Sequence, residues 1–307
     1  MKSVHASCIG DAHVKSKKPK QDDAFSFPNG DPEAEQKPYA IGIVADGHGS
    51  PRYFRSHIGA DIATKVVFEI LEHVANAYPL FENITDHQAL IKNIKVTILA
   101  KWAKAVRGHL ADQPVTEHDF KRVIKENAVK GDANKKTDKT GTAERVKKLQ
   151  ADHEKNPYKT YGTTLLATLL TRHYHFSIQL GDGMIIMYDP SYAENRVLHQ
   201  NDLQHEGPHG LTDSLCTTDA YEHMYATFEP CDNDQRIGFF LCTDGVSEAF
   251  DRNESLYANI KNITKAYLSM AHTEAVEAIT EWIQHVSSRS LAKDDASLAL
   301  LLNHEAF

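Results

Sequence analysis

Tyr39-Ala40-Ile41-Gly42-Ile43-Val44-Ala45-Asp46-Gly47-His48-Gly49 runs an unbroken apolar stretch of strand length into a carboxylate and two glycines. A short apolar run bounded by turn residues reads as a buried strand. Gly47, Gly49, Ser50 and Pro51 end it. The two glycines allow a tight bend and a close approach of the backbone to whatever faces it. The carboxylate of Asp46 therefore stands at the tip of a buried strand.

The same arrangement recurs along the chain. Acidic groups mark the ends of apolar runs at Gln21-Asp22-Asp23, Gly181-Asp182-Gly183, Thr243-Asp244-Gly245 and Asp294-Asp295. Each alone says little, because Asp-Gly is a common turn dipeptide. Together they say more. Carboxylates gathered at strand ends repel one another unless a cation sits among them, and an all-oxygen set suits Mg²⁺ or Mn²⁺ rather than Zn²⁺ or copper.

Working outward, strands are expected at 163–170, 174–180, 184–188, 237–242 and 297–302. Gly181-Asp182-Gly183 separates two of them as a hairpin turn. Ile58, Ile62, Val66, Ile70 and Val74 repeat at helical spacing, as do Ile91, Ile94, Ile98 and Trp102. Two further amphipathic helices carry Leu256, Ile260, Ile263 and Tyr267, then Val276, Ile279, Ile283 and Val286. Residues 194–227 read as a polar, irregular loop or flap. Strands and helices come in clusters rather than in strict alternation. That order predicts an antiparallel α+β architecture, not a parallel sheet.

Residues 111–159 change character, being rich in Lys, Asp, Glu and Thr. Acidic strand ends lie on both sides of this stretch and belong to one site. It is therefore read as a charged insertion, helical around 120–129 and 144–152, within a single domain spanning 1–307. The 307 residues carry 34 basic and 42 acidic side chains, for a net charge of −8. That balance disfavours a nucleic-acid binder. No run approaches the ~18 apolar residues of a membrane span, and residues 1–20 lack the apolar segment of a signal peptide. Cys8, Cys216, Cys231 and Cys242 have no metal or disulfide spacing and read as reduced thiols of a cytoplasmic protein.

In these motifs the chain resembles the type 2C metal-dependent protein phosphatases, in a bacterial-type form. The matching residues are Gln21-Asp22, Val44-Ala45-Asp46-Gly47-His48-Gly49-Ser50, Tyr161-Gly162-Thr163-Thr164-Leu165-Leu166-Ala167, Gln179-Leu180-Gly181-Asp182-Gly183, Cys242-Thr243-Asp244-Gly245-Val246 and Asp294-Asp295-Ala296-Ser297. They stand in the family's order across nearly the whole chain. The resemblance implies a four-layer αββα sandwich, two antiparallel β-sheets flanked by helix pairs. It implies two Mn²⁺ or Mg²⁺ ions, or three, at one edge of the sandwich.

By that resemblance Asp46 bridges two ions, the Gly47 carbonyl ligates one, and Asp244 and Asp294 hold the other. Asp22 and Gln21 lie around the centre, and Asp182 with Asp244 takes a third ion. His48 is the general acid for the leaving oxygen, a role that suits imidazole near neutral pH. Gln21 departs from the Glu many members carry. The basic residue that grips phosphate would fall near Lys17, among Lys15, Lys18 and Lys20, so no phosphate-binding residue is assigned. The expected activity is hydrolysis of phosphoserine and phosphothreonine in proteins by metal-activated water. The expected partners are a phosphoprotein and a cognate Ser/Thr kinase. The alternative is a catalytically silent phosphatase-like scaffold, which should have lost an aspartate of the set.

Overall fold

The computed structural model describes residues 1–128, 139–189, 195–199, 212–231, 236–290 and 292–303. In chain order these form β1 (Lys2–Cys8), α1 (Asp11–Ser16), β2 (Asp23–Phe27), β3 (Tyr39–Ala45), α2 (Ser56–Ala77) and α3 (His87–Asp112). Then come α4 (Glu117–Ala128), α5 (Lys139–Lys155), β4 (Leu165–Thr171), β5 (Tyr174–Leu180), β6 (Met184–Tyr188) and β7 (Asn195–His199). The chain continues through α6 (Ala220–His223), β8 (Tyr225–Pro230), β9 (Gly238–Cys242), α7 (Asp244–Ser247), α8 (Asn253–Ser269), α9 (His272–Arg289) and β10 (Ala296–Leu302).

The strands make two sheets, ordered β1-β10-β9-β6-β7 and β2-β3-β4-β5-β8. Every pairing is antiparallel. β3 explains the stacking. Its side chains alternate, as a pleated strand requires. Tyr39, Ile41, Ile43 and Ala45 face the core shared with α2 and α3, while Ala40 and Val44 face the other sheet. Both faces are covered, so the run is continuously apolar. Gly42 lies where the sheets approach: a Cβ there would come within 3.1 Å of Leu301.

Phe239 and Phe240 divide in the same way on β9. Phe239 enters the core between the sheets and Phe240 the core beneath α8 and α9. The layers are thus α2/α3, sheet, sheet, α8/α9. Burying each Val, Leu or Ile side chain in these layers contributes roughly 1.5–3 kcal/mol.

The helices appear where their apolar spacing places them, with a drift in which residues they bury. On α2 the buried positions include Ala63, Val67 and Leu71 as well as Val66, Ile70 and Val74. A strict four-residue spacing slips around a helix of 3.6 residues per turn, so the contact stripe widens. Asp86 caps α3 by accepting from Ala89 N at 2.9 Å.

Two sequence expectations meet a different local structure. β4 begins at Leu165, because the preceding Thr163 and Thr164 spend their hydroxyls on Asp46. Residues 194–227, expected to be irregular, contain β7 and α6 and the start of β8. β8 is an edge strand whose positions are all partly or fully exposed, so it lacks the apolar alternation that marks a strand. His205 and His209, whose spacing resembles a metal pair but whose Gly-Pro surroundings read as a loop, lie outside the described residues.

The insertion's helices are α4 and α5. Phe120, Val123, Ile124, Val146 and Leu149 make a small core of their own against Phe54. Arg55 links the two ends of that unit: its Nη1 donates to Gln113 O, before α4, at 2.6 Å and to Tyr161 Oη, after α5, at 2.8 Å. Among the described residues, no helix is long and apolar enough to cross a membrane.

Candidate metal centre

The acidic strand tips meet at one edge of the two sheets. Asp46 follows β3, Asp182 sits in the β5–β6 turn and Asp244 follows β9. One carboxylate oxygen of each lies within 4.8 Å of those of the other two. Asp22 lies just before β2, buried, and accepts from Thr243 Oγ1 at 2.9 Å. Asp294 stands beside this group rather than inside it. One of its carboxylate oxygens clusters instead with His13 and Asp295.

Backbone contacts explain why these tips stay put. Asp46 N donates to Thr164 Oγ1 at 2.9 Å, and Asp46 O accepts from Thr163 Oγ1 at 2.9 Å and from Thr164 N at 2.8 Å. The Gly-Thr-Thr triplet thus clamps the Asp46 peptide from a neighbouring strand. Gly47 is packed so closely that a Cβ would meet Gln21 O at 2.6 Å and Ser56 Cβ at 2.9 Å. Gln21 braces the same turn, its Nε2 donating to His48 O at 3.0 Å and to the Ser56 hydroxyl.

Gly181 has φ +107°, a backbone that side-chain-bearing residues rarely adopt. It aims Asp182 out of the hairpin, where Thr212 Oγ1 donates to it at 2.7 Å. Gln179 steadies that hairpin, donating to Gly183 O at 2.8 Å.

The electrostatics follow from this crowding. Burial first, then the charge of Asp295, holds the Asp22 pKa well above the ordinary carboxylate range. Burial, then Asp22 and Asp244, does the same to Asp46. Burial, then Asp182, pushes Asp244 up to about 7. Glu248 is raised by burial and then by Asp182 and Asp294, so Asp294 is near enough to act on this group. Carboxylates placed in this way either keep protons or share a cation. The donors are hard oxygens at mixed exposure, which fits a hydrated divalent ion of the Mg²⁺ or Mn²⁺ kind.

His48 lies on the rim, its ring 4.7 Å from that of Tyr53. Burial pulls its pKa down to about 4, against an upward pull from Asp182. Its ring is therefore neutral at pH 7, and Nε2 has no hydrogen-bond partner among the described residues. Of the nearby lysines, Lys18 Nζ donates to Gly49 O and Lys20 Nζ to Ser7 Oγ. Lys17 caps α1 in the left-handed conformation, φ 55°.

A family profile described as protein phosphatase 2C matches residues 9–288. The chain belongs to the protein phosphatase 2C family. No curated protein sequence matches it. In fold, this phosphatase 2C member is similar to the catalytic domain of the serine threonine protein phosphatase PstP in complex with two manganese ions. The two share 15% identity over 97% of this chain and 96% of that one, with a TM-score of 0.51. It is also similar to PppA of Pseudomonas aeruginosa, with 14% identity, 98% and 97% coverage and a TM-score of 0.50. A bacterial serine phosphatase matches at 14% identity, 98% coverage of both chains and a TM-score of 0.51. At such identities the likeness speaks for the shared phosphatase 2C fold.

Sequence reasoning missed three residues that shape this site. Thr212 and Glu248 carry no motif, and Thr243, though part of a motif, gave no sign that its hydroxyl reaches Asp22. His13 is one of 18 histidines, and no spacing sets it apart; only its packing does.

Proposed function

We propose that this chain is a Mn²⁺- or Mg²⁺-dependent phosphatase that hydrolyses phosphoserine and phosphothreonine in proteins. The observation that carries the reading is the convergence of Asp46, Asp182 and Asp244 within 4.8 Å, in a chain of the phosphatase 2C family. All the aspartates named by the resemblance are present, which favours an enzyme over a silent scaffold.

Asp46, Asp182, Asp244, Asp294 and the Gly47 carbonyl would hold the ions, with Asp22 and Gln21 behind them. Bound divalent ions supply positive charge against the phosphoryl oxygens and acidify water. The chain's own part is to fix the ligands and manage the proton. Thr163 and Thr164 hold the Asp46 peptide, and Thr243 orients Asp22. His48 protonates the departing seryl or threonyl oxygen. The free ring is neutral at pH 7, so this step draws on the arriving phosphate dianion, whose charge favours the protonated ring. The substrate is a phosphorylated protein, and the implied partner is the Ser/Thr kinase that makes it. The 1–307 chain is read as one catalytic domain carrying the charged insertion at 111–159.

The test is phosphate release from para-nitrophenyl phosphate and from a phosphothreonyl peptide, with Mn²⁺ and with EDTA. Release from both is expected with Mn²⁺ and none with EDTA. A folded, Mn²⁺-bound protein that releases phosphate from neither substrate sinks the reading.

A further inference from the structure

Asp294 and Asp295 follow Lys293, whose backbone is left-handed at φ 52°. The segment that opens α1 is fastened across them. Ala12 N donates to Lys293 O at 3.0 Å, and Gly10 N donates to Asp295 Oδ1 at 2.8 Å. Gly10 lies so near that a Cβ would stand 2.3 Å from the Asp294 carbonyl carbon. This fastening delivers the His13 imidazole, only 6% exposed, between two carboxylates. Its Nε2 lies 3.3 Å from Asp294 Oδ1 and its Nδ1 2.9 Å from Asp295 Oδ2.

We propose that His13 is a positioning residue of the metal centre. It rests against Asp295 through one ring nitrogen and fixes the Asp294 carboxylate with the other. It thereby sets the affinity for the divalent ion that Asp294 ligates. The proposal rests on the preceding reading only in taking Asp294 as a metal ligand.

The two aspartates differ in freedom. Both oxygens of Asp295 are occupied, one by Gly10 N and the other by Gln21 N. The Asp295 side chain is 1% exposed and cannot swing. It is an anchor, and through Gln21 it ties this corner to Asp22. The Asp294 side chain is 47% exposed. Among the described residues its oxygen Oδ1 accepts from the adjacent Asp295 N, at 2.9 Å, and otherwise touches His13 Nε2. A ligand free to rotate loses that freedom when it binds an ion, and a partner that restricts it beforehand reduces the loss. His13 is the side chain so placed. The Nδ1 approach to Asp295 lacks hydrogen-bond alignment and the Nε2 approach to Asp294 is a close contact at 3.3 Å, so the ring acts by packing, with Asp295 as the wall against which it rests and Asp294 against its other edge. A cation bound directly by the trio is disfavoured, because both Asp295 oxygens already receive N–H groups.

The experiment is calorimetric titration of the metal-free protein with Mn²⁺, for wild type, His13→Ala, His13→Gln and Asp294→Asn. His13→Ala is expected to weaken one Mn²⁺ by about 10–100-fold, the usual cost of losing such a supporting residue. That ion should be the one Asp294→Asn weakens. His13→Gln, which keeps part of the side chain's bulk, should recover part of the loss. Wild-type affinity in His13→Ala, or a loss confined to an ion that Asp294→Asn leaves alone, overturns the proposal.

Should the variants fail to fold, the wild-type protein decides through the ¹⁵N resonances of the His13 ring during Mg²⁺ titration. Shifts that saturate with binding support the proposal, and resonances that stay still overturn it. Normal Mn²⁺ binding without phosphate release would sink the phosphatase reading and leave this one standing. A wild-type protein that binds no Mn²⁺ overturns both.

Discussion

Thr243 and Asp22, 221 residues apart in the chain, share a buried hydrogen bond of 2.9 Å from hydroxyl to carboxylate. The same hydroxyl accepts from Ser297 N at 3.0 Å. One side chain thus joins the end of β9, the start of β2 and the start of β10. Thr243→Val keeps the shape and strands both partners. Leaving such groups buried and unpaired costs about 1–3 kcal/mol. Chemical denaturation should show that loss, and Mn²⁺ affinity should fall with it. Unchanged stability would mean that the two partners find substitutes.

Gly47 tests the packing of the metal loop. Alanine there would push a methyl to 2.6 Å from Gln21 O, so the backbone must move. Overpacking of this kind costs about 1–3 kcal/mol. Gly47→Ala should unfold at a lower temperature and bind Mn²⁺ more weakly. A Gly49→Ala control, whose Cβ would meet nothing nearer than 3.8 Å, should do neither.

Asp244 carries opposite weights in binding and in folding. Asp244→Asn removes a ligand and should abolish turnover, as should Asp46→Asn. It also removes a charge that burial and Asp182 disfavour, so the metal-free variant should unfold at a higher temperature than wild type. Thermal unfolding in EDTA checks this. A metal-free variant less stable than wild type would show that burial and the Asp182 charge do not disfavour the Asp244 carboxylate in this way.

The same shift has a pH signature in the metal-free protein. Asp244 titrates near 7 when folded, against an ordinary 3.8. The folded state therefore binds the proton more tightly. This contribution to stability is fully present below 3.8 and is lost as pH rises through about 7. Asp22 and Asp46 shift in the same direction. In EDTA, the unfolding temperature should fall from about pH 4 to about pH 7, and Asp244→Asn should flatten part of the slope. An identical slope in the variant would remove Asp244 as its source.

His48→Ala separates the acid role from simple positioning. Aryl phosphates have good leaving groups and need little protonation, whereas phosphoserine and phosphothreonine need it. The substitution should slow phosphopeptide hydrolysis more than that of para-nitrophenyl phosphate. Equal losses on both would assign His48 to positioning alone.

The strands, the long helices and the carboxylates at strand ends were legible because each depends on local sequence. An apolar run followed by Asp-Gly carries its own signal. β8 escaped notice because an edge strand with exposed positions has no apolar alternation to read. The partners of the aspartates escaped for another reason. Thr164 and Thr243 stand in motifs the sequence shows, but the distant residues they bond, Asp46 and Asp22, are not written beside them; His13 has nothing in its own neighbourhood to set it apart.

The amino-acid order alone determined that this chain is an antiparallel α+β protein, and that acidic groups stand at the strand tips. It did so because burial and turn formation are decided within a few residues. The division into two sheets came only as what the family resemblance implies. Only the tertiary structure decided which carboxylates share a centre. It joined Asp46 to Asp182 and Asp244, and set Asp294 against His13. Charge repulsion, desolvation and the reach of a hydroxyl act over a few ångströms of space, and separation along the chain does not reveal such distances.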